Sequence, residues 1–120
     1  MSRPLANPVV HLELQTANLA RACAFYTELF DWGADTVQAA GGSYVALDLA
    51  CDMRGGAVER DGEPAVWLPY VEVANVELAT ARARALGAAV EMESREGPAG
   101  WRSIVAAPDG AGVALWQPKG

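Results

Sequence analysis

The sequence predicts an α+β fold of two βαβββ modules, about residues 8–60 and 65–118. Their strands should form a cup-shaped, mostly antiparallel mixed sheet with the helices on its outer face. Three observations predict it. The chain opens with a period-two strand followed by a helix of period 3.6. The same strand-then-helix order returns after residue 65. The two halves also align on each other at one offset, the mark of an internal repeat.

Each element has its own signal. Alternation over residues 9–16 puts Val10, Leu12 and Leu14 on one face and His11, Glu13 and Gln15 on the other, as in a half-buried strand. Asn18 is a residue type that caps helices. Leu19, Ala22, Cys23, Tyr26, Leu29 and Phe30 then recur at helical spacing, and the helix should end near residues 31–33. A weak strand over 36–39, a stronger one over 43–49 and a third over 55–59 follow, with Gly41-Gly42 turning before the stronger one. Asp61-Gly62-Glu63-Pro64 breaks the pattern and reads as a linker. In the second half, residues 67–73 read as a strand, Asn75 as a cap, 76–86 as a helix and Gly87 as its glycine stop. Strands over 90–93, 101–107 and 112–117 complete the order, with Pro108-Asp109-Gly110 turning between the last two.

At an offset of 57, with no gap, Ala17-Asn18 falls on Ala74-Asn75, and Ala22, Ala24 and Leu29 fall on Ala79, Ala81 and Leu86. Asp52 then falls on Asp109 and Gly55 on Gly112. A module alone would be a sheet with one poorly covered face. Two side by side make a larger curved sheet whose polar inner face is permitted in an antiparallel arrangement. Such a concavity is a natural small-molecule site.

Composition narrows the function classes. A chain of 120 residues fits one domain, and 52% apolar residues can supply its core. A net charge of −6 without a Lys/Arg cluster argues against nucleic acid or an anionic membrane as partner. No apolar run nears the ~20 residues of a membrane span, and residues 1–8 lack a signal-peptide stretch, so the expected location is the cytoplasm. Cys23 and Cys51 lack metal-knot or disulfide-framework spacing. Cys23 reads as a small packing residue and Cys51 as a strand-end residue.

His11-Leu-Glu-Leu, then Asn18-Leu19, Phe25-Tyr26 and Leu29-Phe30, and later Pro108-Asp109-Gly110, together resemble the vicinal-oxygen-chelate family, which includes glyoxalases, bleomycin-resistance proteins and dioxygenases. The resemblance covers essentially the whole chain. It implies a homodimer and, in metal-dependent members, a divalent ion held by four side chains from the first and last strands of the modules. His11 matches the first ligand position. Its counterpart at the repeat offset is Leu68, and the last-strand positions fall near Ala57 and Ala114. None of these three binds metal. A lone imidazole is a poor holder for a catalytic ion, so no cofactor is expected. A rearranged divalent site drawing on His11, Glu13, Glu59 or Glu72 stays open.

The residues expected to contact a small-molecule ligand are His11, Glu13, Tyr70, Glu72 and Trp116. Tyr44 should look the same way. His11 has a second reading, a structural imidazole bonded to a neighbouring Glu or Gln. The carboxylates have one too, as groups facing water. Trp116 reads as ligand or interface contact; for Trp101 that reading and core packing stand level. Trp32 and Trp67 should pack near module ends, Phe25, Tyr26, Leu29 and Phe30 in the core or in helix packing, and Arg82 and Arg84 on a solvated helix face. Three functions follow: a binder of a small organic molecule without a standard metal site, a lyase, isomerase or dioxygenase with a rearranged site, or an accessory domain without a ligand. Whether the chain is an enzyme is left open at this stage.

Overall fold

In a computed structural model, which describes residues 7–39, 42–61 and 64–120, the two alternating segments start two units of the same design. The N-terminal unit spans His11–Leu68 and the C-terminal unit Pro69–Gly120 with the residues before His11. The elements are β1 (Val9–Thr16), α1 (Leu19–Phe30), β2 (Gly33–Ala39), β3 (Gly42–Asp48), β4 (Arg54–Glu59), β5 (Val66–Glu72), α2 (Val76–Ala85), β6 (Ala89–Glu96), β7 (Gly100–Ala106) and β8 (Gly112–Pro118). The fold is α+β. Within the N-terminal unit the strands lie in the order β2-β3-β4-β1, and within the C-terminal unit β6-β7-β8-β5. In both, the first strand runs parallel to the last, and the other pairs are antiparallel.

The helix of each unit covers one sheet face. Leu14, Leu47 and Ala57 are buried beneath Leu19, Ala22, Cys23 and Tyr26, an i, i+3, i+4, i+7 stripe of α1. Burying a side chain such as Leu14 contributes about 1.5–3 kcal/mol. Trp67 and Trp32 pack against Tyr26, with ring centroids 5.2 and 6.1 Å away, and Trp67 Nε1 donates to Tyr26 Oη at 3.3 Å. Under α2, buried Thr80 and Ser103 share a hydroxyl–hydroxyl bond of 2.7 Å, and Thr80 Oγ1 also donates to the Val76 carbonyl at 2.6 Å. These partners let two buried hydroxyls sit in the core without an unsatisfied polar atom.

Both helices begin in the same way. Asn18 Oδ1 accepts from the Arg21 N–H and Asn75 Oδ1 from the Leu78 N–H, each at 3.0 Å. The first helical N–H is taken by a side chain of the unit's last strand. Glu59 Oε2 accepts from Leu19 N at 3.1 Å, and Gln117 Oε1 from Val76 N at 2.8 Å. Two of the orphan donors at each helix start are thereby satisfied.

Several expectations are corrected here. The repeat is not gapless. The caps Asn18 and Asn75 are 57 apart, whereas Glu59 and Gln117, which do the same work, are 58 apart. Strand register agrees: Glu13 pairs with Gly56 but Tyr70 with Ala114. One extra residue therefore lies between α2 and β8. It moves the counterpart of Ala114 from Ala57 to Gly56. Ala57 packs under α1, and Glu59 shares its face, so Glu59 is a helix cap and not a companion of His11. Phe25, Leu29 and Phe30 are not core: they are 56%, 57% and 50% exposed, because α1 packs through the narrower stripe only. The weak strand begins at Gly33, three residues early, paired along its whole length with β3. The strand expected over 90–93 extends from Ala89 to Glu96, across two register irregularities. Gly41 of the expected turn, Gly62 and Glu63 of the linker and the first six residues of the N-terminal stretch lie outside the described residues.

Candidate functional site

The helix-free sheet faces carry the residues singled out above. In the N-terminal unit, Leu14 and Ala57 look toward α1, so His11, Glu13 and Gln15 on β1 look away, with Arg54, Gly56 and Val58 on β4. Register extends this face into rows. Gly33, Asp48, Arg54 and His11 are successive cross-strand neighbours, and so are Asp35, Ala46, Gly56 and Glu13. Polar side chains of the first row stand beside small residues of the second. The result is a depression of about 400 Å³, lined by His11, Asp35, Tyr44, Asp48 and Arg54 over Gly33, Ala46, Leu47 and Gly55. Gly56 makes room for the imidazole, since a Cβ there would lie 3.4 Å from His11 Nε2. His11 is half-buried at the inner end.

Glu13 is buried on the same strand face and accepts from Gln15 Nε2 at 3.1 Å; Gln15 Oε1 in turn accepts from Arg60 at 2.6 Å. The chain Arg60–Gln15–Glu13 fixes the direction of the carboxylate.

In the C-terminal unit, Ser103 and Gln117 bond α2, so their alternating neighbours face away: Tyr70, Glu72, Arg102, Ile104, Ala114 and Trp116. Tyr70 is buried and Trp116 half-buried, with ring centroids 6.3 Å apart and planes tilted by 56°. Arg102 donates to Tyr70 Oη, with its guanidinium carbon 6.0 Å from the ring centroid. The Trp116 ring lies against the Gly100 backbone, where a Cβ would come within 2.9 Å of it. Glu72 is half-buried and in register with Trp116. Trp101 pairs with Gln117 and carries Lys119 Nζ at 5.6 Å from its ring centroid.

Thus the structure brings His11 and Glu13 onto one strand face, and Tyr70, Glu72 and Trp116 onto another. Arg54, Asp35 and Arg102 escaped the sequence reading. Arg54 could have been found: on β4 it is two residues before Gly56, but the gapless offset drew attention to the opposite parity. Arg102 carried no local signal beyond alternation.

A metal of the family's usual kind does not fit. The last-strand positions facing with His11 are Arg54, Gly56 and Val58, and those facing with Tyr70 are Ala114 and Trp116. None offers a ligand atom for a divalent ion. Among the described residues no group of three or more His, Cys, Asp or Glu is placed to hold a metal, and Asp35 and Asp48 do not converge with His11.

Two βαβββ units, each with its helix on one sheet face, define the class of fold. The chain belongs to the Glyoxalase/Bleomycin resistance protein/Dioxygenase superfamily, whose family model matches residues 9–115. It is 34% identical over 116 residues to CFP32 of Mycobacterium bovis, a protein named provisionally as a glyoxylase, and the match covers 88% of this chain and 44% of CFP32. The chain therefore spans a little under half the length of the curated relatives it matches. Its fold is similar to that of methylmalonyl-CoA epimerase from Mycobacterium tuberculosis, with a TM-score of 0.63, 16% identity and coverage of 98% of this chain and 94% of the other. A superfamily member from Vibrio splendidus 12B01 is similar with a TM-score of 0.64 at 16% identity, covering 93% and 99%.

Proposed function

We propose that this chain binds a small organic molecule on the helix-free sheet face of its N-terminal unit without a standard divalent metal site. The observation that carries this reading is the depression beside His11. Its volume of about 400 Å³ suits a small ligand. It exists because Gly33 and Ala46 withhold side-chain bulk between polar neighbours. In the C-terminal unit, Tyr70 and Trp116 form a separate aromatic surface on which planar groups can stack. The donor set around His11 favours binding over Lewis-acid chemistry, since a catalytic ion usually needs about three protein ligands.

The test is a titration with a panel of small planar and polar molecules, read by amide chemical shifts and Trp fluorescence. Hits should shift amides around His11 and Gly56. Ala46→Leu, which fills the depression from its lining, should weaken those hits by at least about tenfold, the effect of a displaced ligand group. The protein is also incubated with Ni, Co, Zn, Mn and Fe(II), then desalted and analysed for metal. Near-stoichiometric metal lost on His11→Ala would replace this reading with a metal enzyme.

A further inference from the structure

We propose that the depression of the N-terminal unit takes a dipolar molecule, with a carboxylate held by Arg54 and a cationic end held by Asp35. The proposal rests on the small-molecule reading above and adds the chemical class of the ligand.

Its basis is a pair that ought to form and does not. Asp48 and Arg54 are direct cross-strand partners on one face, the arrangement in which opposite charges ordinarily pair. The turn after β3 prevents it. Ala50 has a φ of 75°, and its N–H donates to Asp48 Oδ1 at 3.0 Å, so the carboxylate is drawn to the turn. The Arg54 side chain makes no hydrogen bond or ion pair among the described residues, and neither does that of Asp35. Both line the depression. A guanidinium presents five donors in a fixed fork suited to a carboxylate.

The charges also exclude simpler ligands. A plain anion drawn to Arg54 meets Asp35 and Asp48; a plain cation drawn to the aspartates meets Arg54. A molecule with both charges satisfies each end. Asp35 lies on β2 and Arg54 on β4, two strand spacings across and one side-chain row along the sheet, which is on the order of 12 Å between Cα atoms. Ala46 and Gly56 leave the intervening floor low. With both side chains standing off the sheet, their heads stay about that far apart, and an extended ω-amino acid bridges them. Both heads are exposed to solvent, so each should contribute only roughly fivefold to affinity.

The probes are 6-aminohexanoate, hexanoate and hexylammonium, titrated at low salt and followed by amide chemical shifts of the full chain. The expected result is that 6-aminohexanoate binds about fivefold or more tightly than either singly charged probe. Arg54→Met should reduce it to the level of hexylammonium, and Asp35→Asn to the level of hexanoate. Circular dichroism checks that both exposed-site variants fold. Equal affinity for hexanoate and 6-aminohexanoate, or an unchanged affinity in Arg54→Met, overturns the proposal. So does the absence of shifts with all three probes. If the planar panel still binds beside His11, only the charge assignment falls; if the panel fails as well, the small-molecule reading falls with it.

Discussion

Ala50, Cys51 and Asp52, in the turn between β3 and β4, hold φ values of 75°, 52° and 63°. An L side chain in this left-handed region crowds its own backbone, at roughly 1–2 kcal/mol per residue, and Asp tolerates it better than Ala. Ala50→Gly should therefore stabilise the chain by about 0.5–1 kcal/mol, after the extra unfolded-state entropy of glycine is counted. Urea unfolding measures it, and a loss of stability would contradict the strain. The two thiols differ for a related local reason. Burial among Leu14, Leu47 and Ala57 pushes the Cys23 thiol above its ordinary 9.0, while Cys51 is exposed on the turn. Iodoacetamide should thus label Cys51 well before Cys23, as seen by timed mass spectrometry; equal rates would count against the packing described. The linked stability has a definite sign. A raised folded value favours the neutral thiol, so Cys23 contributes fully below pH 9.0, and the contribution fades as pH climbs through the higher folded value. At this scale His11, Glu13, Tyr70 and Trp116 were legible in the sequence as strand-face positions, since alternation needs no tertiary knowledge. Glu59 was not, because its face depended on a register that no local pattern records.

At the scale of the element, the helix starts are the clearest shared device. Asn18 and Asn75 could be read directly, since Asn before an apolar periodic run is a local signal. Their second cappers, Glu59 and Gln117, arrive from 40 and 41 residues further on, and only the folded sheet brings them there. Glu59→Ala should cost roughly 0.5–1.5 kcal/mol, the net value of one hydrogen bond, with some help from the helix dipole. Glu59→Gln should recover most of it, because Gln117 already performs the task in the other unit. Denaturant midpoints of the three chains decide this, and an equally severe Gln variant would show that the charge, not the acceptor, matters. The same element scale explains Leu29 and Phe30. Helical spacing marked them as buried, yet an apolar face wider than the stripe that packs leaves some of its residues outside.

For the whole molecule, repetition carried the fold. The order of strand, helix and three strands, found twice, was enough to specify α+β architecture and a mixed sheet, while the parallel pairing of first with last strand came only with the structure. The single added residue between α2 and β8 was invisible, because Asp52 and Gly55 match Asp109 and Gly112 by chance at the offset of 57, although the strands there pair at 58. It nonetheless reassigned one face of β4, and with it the lining of the depression. The late cappers carry one more implication. A ribosome delivers α1 long before it delivers Glu59, so the helix must wait, with its first amide served by water, until the fourth strand has been made. Each unit is thus closed by its last strand, and a nascent chain halted just short of Glu59 or Gln117 would hold a helix whose beginning is unfinished.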